Sequence, residues 1–181
     1  VKRLFRICNN PPADWMSVYS LVDVNVEFKK IVPLIICKYF YERQRQNFSG
    51  RSLHIIIDEA HNVLSTTSER ESQTWKDYRL ETFEEIIKEG RKFGTFLTIS
   101  SQRPSDISAT IISQLHNYFI HRLVNNEDIR AIGKAVAFID NTSYEMISVL
   151  PARSVHIYGC CIKLPGACTS GLVAKAKTTS K

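Results

Sequence analysis

The stretch Leu53-His54-Ile55-Ile56-Ile57-Asp58-Glu59-Ala60-His61 decides how the rest of the chain is read. A short, mostly apolar run ends abruptly in two adjacent carboxylates. Three consecutive isoleucines predict a strand over Leu53 to Asp58 that is buried on both faces. Such a strand tolerates no free charge, so Asp58 and Glu59 belong where it leaves the core. In open α/β sheets that is where ligands bind. Paired acids there suit a nucleotide-hydrolysing site, one helping to hold Mg²⁺ and the other positioning a water. The plainer alternative is that two acids end a strand and cap the next helix.

Upstream of this run, Ser17 to Val24 reads as a strand or strand end. From Glu27 to Gln46, Phe28, Ile31, Ile35 and Tyr39 recur at helical spacing, and Asn47 to Ser52, with Gly50, is a turn. Downstream, Ser65 to Asp77 is polar and reads as a loop. Thr82 to Lys92 is amphipathic, with Phe83, Ile86 and Ile87 on one face, and Gly90 and Gly94 mark its end. Thr95 to Ser101 is the next strand. Ser105, Asp106 and Ser108 are cap-type residues before a short helix containing Ile111 and Ile112. Tyr118 to Leu123 is a strand, Glu127 to Phe138 and Ser143 to Val149 are helices, and Ser154 to Ile162 is a terminal strand. Alternating strands and helices predict an α/β fold with a largely parallel sheet. Residues 1–165 read as one unit, and residues 166–181 as a flexible basic tail containing Lys175, Lys177 and Lys181.

Composition excludes several classes. With 181 residues, 44% hydrophobic and 23% charged, the chain suits one soluble globular domain. No apolar run approaches the roughly 18 residues that a membrane span needs. The net charge of +6 permits nucleic-acid contact, but the excess is diffuse. The cysteines Cys8, Cys37, Cys160, Cys161 and Cys168 include no C-x-x-C pair, so reduced, mostly buried thiols in a cytoplasmic protein are expected. His54, His61, His116, His121 and His156 show no metal-binding spacing.

The motifs add up in order. A strand ends Asp58-Glu59-Ala60-His61-Asn62. A helix ends Glu89-Gly90-Arg91-Lys92-Phe93-Gly94. A strand ends Ser101-Gln102-Arg103-Pro104-Ser105-Asp106-Ile107, and His121-Arg122-Leu123-Val124-Asn125-Asn126-Glu127-Asp128 comes after it. This resembles the C-terminal half of the HerA-type ATPases, in the wider group of FtsK-like and VirB4-like motors. The match runs from about Val18 to Ile162. It is specific from Leu53 to Asp128 and loose at its end, where Arg153 stands at a position often occupied by Gly in this family.

The resemblance implies a RecA-like P-loop NTPase core, hexameric rings, translocation on double-stranded DNA, and a nuclease or other effector partner in DNA-end processing or anti-phage defence. It implies ATP and Mg²⁺ as cofactors. Asp58 becomes the Walker B acid reaching Mg²⁺ through water, and Glu59 the catalytic carboxylate that orients water. Gln102 becomes the sensor of the γ-phosphate. Arg91 is the candidate to complete a neighbouring subunit's site, with Arg103 and Arg122 as alternatives. Plainer readings stand beside these: a polar strand end for Gln102, and a surface Arg favourable to a helix C-terminus for Arg91. Asp58-Glu59-Ala60-His61 also spells a DEAH box, but Ser101-Gln102-Arg103-Pro104 replaces the Ser-Ala-Thr type motif of those helicases. His61 is therefore read as a helix-start or packing residue. Ser65 to Arg79 could line a DNA pore, but Glu69, Glu71 and Asp77 offset Arg70, Lys76 and Arg79, so a solvated loop fits better.

One part is absent. No G-x-x-x-x-G-K-[ST] occurs, and Gly133-Lys134, the sole Gly-Lys pair, is followed by Ala135 on an expected helix. Either the phosphate loop lies upstream in a longer protein, or the chain is a non-hydrolysing assembly module that has lost it. A VirB4- or TraG-like secretion ATPase would share the same core.

Overall fold

The computed structural model describes residues 16–25, 28–67, 71–136, 139, 141–151, 153–159 and 172–175. Helix α1 (Phe28–Gln46) leads to strand β1 (Leu53–Ile57), the short α2 (His61–Leu64) and α3 (Gln73–Glu89). A 3₁₀ turn, Gly90–Phe93, feeds β2 (Thr95–Ile99). A second 3₁₀ turn, Pro104–Asp106, and α4 (Ala109–Gln114) precede β3 (Asn117–Ile120). Then come α5 (Asn126–Ala135), α6 (Asn141–Met146), β4 (Ser154–Gly159) and β5 (Leu172–Lys175).

The α/β class is as expected. Strands β1 and β2 pair in parallel, with Leu53 opposite Thr95 and Ile57 opposite Ile99. Strands β3, β4 and β5 form a separate antiparallel sheet in that order. The parallel expectation therefore holds for β1 and β2, while the return through α6 brings β4 back against β3 in the opposite sense. Strand β5 falls within the stretch read as a basic tail, and the other residues of 166–181 lie outside the described ones. Ser17 to Val24 forms no strand. It contains a turn closed by Val24 N–H donating to the Leu21 carbonyl at 3.2 Å, and Val18 and Val22 are exposed.

Strand β1 is not buried on both faces. Leu53, Ile55 and Ile57 turn towards the core, whereas Ile56 is 73% exposed and His54 stacks on Phe96 of β2 on the same open face. Period-two alternation assigns the inward set. Helix α1 covers the inner face with Leu34, Cys37 and Tyr41, at i, i+3 and i+7. Of the stripe picked out by sequence spacing, Phe28, Ile35 and Tyr39 point to solvent instead and Ile31 is half-buried. Burial pushes the Cys37 thiol up to about 12, so it stays a protonated, packed thiol.

Helix α3 begins two turns earlier than expected. Its inward stripe is Arg79, Thr82, Phe83 and Ile86, and its first half is polar even where it is buried. Arg79 is fully buried. It donates to Glu71 through Nε (3.0 Å) and Nη2 (2.7 Å), to the Ser65 carbonyl at 3.1 Å and to the Val63 carbonyl. Lys30 reaches the same carboxylate at 3.4 Å. Arg79 is therefore a strut under the α2–α3 connection and unavailable to DNA. Burial alone would raise the Glu71 pKa, but hydrogen bonds and charge from Arg79, helped by Lys30, hold it below the usual carboxylate value.

Backbone geometry is tight at two positions. A side chain at Gly90 would bring its Cβ to 2.9 Å from the Thr95 carbonyl, so the end of α3 approaches β2 closely only as glycine. Arg153 adopts φ +66, the left-handed region that favours glycine, at the position where the resemblance marks a departure from Gly.

Candidate active site

The C-terminal ends of β1 and β2 lie side by side and stay paired beyond the strands. Ser100 N–H donates to the Ile57 carbonyl at 2.9 Å, and Ala60 N–H to the Ser100 carbonyl at 2.8 Å. This pairing holds the acid turn against the segment that carries Gln102. Gln102 Nε2 donates to Glu59 Oε1 at 2.8 Å. Glu59 Oε2 is buried and lies 3.3 Å from His61 Nδ1, an ion-pair distance without hydrogen-bond geometry. His61 Nδ1 is also 3.2 Å from Ser101 Oγ, which accepts from Arg103 N–H at 3.1 Å.

Glu59 sits at φ +48, an uncommon conformation for a residue with a Cβ. The turn enforces it: Asn62 N–H donates to the Glu59 carbonyl at 2.9 Å, and Asp58 Oδ1 accepts from Glu59 N–H at 3.0 Å. Strain of about 1–3 kcal/mol at such a residue persists only where its surroundings over-determine it. Here that strain aims one carboxylate along the edge of the sheet at Gln102 and leaves Asp58 exposed beside it.

Sequence reasoning thus named three residues that the fold brings together: Asp58, Glu59 and Gln102. It missed the part played by His61 and Ser101. Helix α2 does begin at His61, as expected, but the ring also turns back to the acid. The available signal was the separation of two residues from Glu59 across a tight turn.

Arg91 lies elsewhere. It is exposed in the 3₁₀ turn before β2, at the N-terminal edge of the sheet. A five-residue strand separates that edge from Gln102, roughly 17 Å along the chain direction. Within this chain Arg91 and Glu59 therefore lie at opposite ends of the β1–β2 ladder. Arg103 is exposed next to Gln102, and Arg122 is exposed just after β3.

Lower on the same edge, Asp128 in the first turn of α5 is buried and accepts from Ser105 N–H at 3.0 Å and Ser105 Oγ at 2.6 Å. Asn125 caps that helix, accepting from Glu127 N–H. Gly133 is a packing glycine. A Cβ there would run into the Tyr144 ring, so the Gly133-Lys134 pair serves helix contact and cradles no phosphate.

Among the described residues no cluster of three His, Cys, Asp or Glu side chains could hold a metal ion. One exposed carboxylate, Asp58, fits Mg²⁺ in the manner this ion favours, with one or two protein oxygens and the remaining positions filled by water and phosphate. Among the described residues the donors at this turn are too few for a resident ion, and Asp58 alone is compatible with an ion that brings its other ligands with it. No helix among the described residues is long and apolar enough to cross a membrane.

Comparison with known proteins finds relatives of the HerA kind that the sequence resembles. The chain is 33% identical over 124 residues to the DNA double-strand break repair helicase HerA of Saccharolobus solfataricus, covering 67% of this chain and 23% of that protein. It is 32% identical over 111 residues to HerA of Sulfurisphaera tokodaii, covering 61% of this chain and 21% of that protein. The chain therefore spans about a fifth of the length of the curated relatives it matches. Among solved structures it is similar to the genome packaging NTPase of Sulfolobus turreted icosahedral virus 2. With AMPPCP bound that structure gives a TM-score of 0.53 at 18% identity, and with ATP-gammaS 0.51 at 19%. Each alignment covers 78% of this chain and 60% of the other. At these identities the likeness speaks to the fold alone. No protein-family profile matches the chain.

Proposed function

Starting from a chain that is HerA-like in sequence and has the fold of P-loop NTPases, we propose that it supplies the acid-pair and sensor half of an ATP-hydrolysing site in a DNA-translocating motor. Asp58 holds Mg²⁺ through water, Glu59 orients the attacking water, and Gln102 reports on the γ-phosphate. The observation that supports this reading is the 2.8 Å hydrogen bond from Gln102 Nε2 to Glu59 Oε1, which joins these two side chains at the C-terminal ends of β1 and β2. When a nucleotide brings water and phosphate between them, that bond is exchanged for contacts to the ligand.

In this proposal ATP lies at a subunit interface of a ring, and Arg91 of one subunit reaches the phosphates held by the next. Its placement at the opposite sheet edge from Glu59 supports a role across an interface over one within the subunit. Double-stranded DNA is the track, and a nuclease or other effector is the working partner, as the resemblance implies. The two HerA relatives are described as repair helicases, and repair is one of the processes open to this chain.

The test is Glu59→Gln in the full-length protein, assayed for ATP binding and for DNA-stimulated turnover. Binding is expected to persist while turnover falls about 100-fold or more. Turnover within a few-fold of the unmodified protein would remove Glu59 from the mechanism. A second reading, a non-hydrolysing assembly module, draws on the absence of G-x-x-x-x-G-K-[ST] from these 181 residues. It predicts that the full-length protein neither retains ATP nor responds to Glu59→Gln.

A further inference from the structure

The two oxygens of the Glu59 carboxylate have different surroundings. Oε1 takes the Gln102 hydrogen bond on the exposed side. Oε2 is buried and receives no hydrogen bond. A buried carboxylate oxygen in that condition is costly, because nothing replaces the water it gave up. His61 Nδ1 stands 3.3 Å from it, on a side chain only 17% exposed. The same nitrogen is 3.2 Å from Ser101 Oγ. A bare lone pair on Nδ1 would face the Glu59 oxygen and repel it, so Nδ1 carries a proton. That proton has two acceptors, one on the acid turn and one on the Gln102 segment. In the present arrangement Ser101 takes it, and Oε2 goes without.

The donor stands on a fixed base, and its acceptors do not. Helix α2 starts at His61, directly after the fully buried Ala60, and carries Val63 and Leu64 into the core. Ala60 N–H is tied to the Ser100 carbonyl at 2.8 Å. Ser101 Oγ accepts from Arg103 N–H and so closes the turn that contains Gln102. Re-aiming Gln102 therefore re-aims the hydroxyl that competes for the His61 proton.

We infer that His61 is a positioning residue for Glu59: it passes its Nδ1 hydrogen bond from Ser101 Oγ to Glu59 Oε2 when Gln102 turns from Glu59 to the nucleotide. This rests on the proposed function. Without nucleotide, Gln102 holds Oε1. Once that bond is exchanged for the ligand, the carboxylate would turn freely about its last torsion. The bond from His61 fixes Oε2 and leaves Oε1 to hold the attacking water. The arrangement is that of a base oriented by a third group. No proton leaves His61 in this step, and only the acceptor changes.

The test uses the full-length protein, with Glu59→Gln as reference. His61→Ala is expected to lower kcat by about 10- to 100-fold and to leave KM for ATP within about twofold. His61→Asn, whose amide N–H lies close to the Nδ1 position, should recover kcat to within about fivefold of the unmodified protein. Adding His61→Ala to Glu59→Gln should cost nothing more. A second readout is independent of turnover. Solid-state NMR of protein labelled with nitrogen in its histidine rings identifies His61 as the signal lost in His61→Asn. Without nucleotide the ring is expected to be protonated at Nδ1. AMPPCP with Mg²⁺ should move that proton downfield, as its acceptor changes from a hydroxyl to a carboxylate. Ser101→Ala should show the downfield position with no nucleotide present. A ring protonated at Nε2 alone, or His61→Ala with kcat unchanged, or His61→Asn as slow as His61→Ala, overturns the role. Unchanged turnover in Glu59→Gln would instead sink the proposed function, and the NMR arms would still decide whether His61 shares its proton between the two segments.

Discussion

Glu71 and Glu59 both have cationic or amide partners, and they are held in opposite ways. Glu71 lies under the α2–α3 connection. Both its oxygens are engaged by a fully buried Arg79, whose remaining donors end on main-chain carbonyls. Glu59 stands at the sheet edge in a strained backbone conformation. One oxygen takes a hydrogen bond from Gln102 and the other has only an ion-pair contact with His61. The first arrangement is saturated and depends on nothing else. The second is half satisfied and can trade its partners for a ligand. Saturation marks an acid that supports structure, and incomplete, strained satisfaction marks one placed for exchange.

The contrast is broken most forcefully at Arg79. Arg79→Leu leaves Glu71 without its main partner in a buried site and is expected to cost about 3–5 kcal/mol, read by urea denaturation. The double replacement Arg79→Met with Glu71→Leu should recover most of that loss, because the charge left behind is also gone. A single variant as stable as the parent chain would show that the strut is idle.

The next effect is expected in acid. The Glu71 pKa is held below its unfolded value, so its contribution is fully present above pH 4.5 and is lost as pH falls through the lower native value. Thermal unfolding measured from pH 6 to pH 2 should show this loss in the parent chain and a flatter profile in Glu71→Gln. Identical profiles would refute the assignment.

At the other carboxylate the expected sign reverses. Glu59→Gly relieves the left-handed strain and should raise stability by up to about 1 kcal/mol while abolishing turnover in the full-length protein. A lower melting temperature would mean that the Gln102 bond outweighs the strain. The smallest effect expected is at Arg153, whose φ is also positive but which closes no site. Arg153→Gly should stabilise by a few tenths to about 1 kcal/mol with no change in turnover, and a loss of turnover would make this arginine functional.

The same contrast explains which parts of the molecule were legible in the sequence. The acid turn was readable because a charged pair at the end of an apolar run has few explanations. Gln102 was readable from its place after the next strand. The first two turns of α3 were not, because an inward-facing arginine counts as polar in any periodicity and nothing local records that carbonyls satisfy it. The exposed face of β1 was hidden for the opposite reason. Ile56 is as apolar as Ile55 and Ile57, so composition could not show that only one face is covered in this chain. In α1 two apolar stripes compete, and the core shared with Phe83 and Ile86 decides for Leu34, Cys37 and Tyr41. The pairing of His61 with Glu59 depends on the left-handed turn between them, which residue types alone do not encode.

The Ser105–Asp128 bonds have a mechanical corollary. The loop bearing Gln102 is anchored at its start by the Ser100–Ile57 bond and a few residues later by the first turn of α5. Between two such anchors a segment this short can swivel but cannot slide. Any change of aim at Gln102 is therefore a rotation about a fixed span, and its far pivot is a helix.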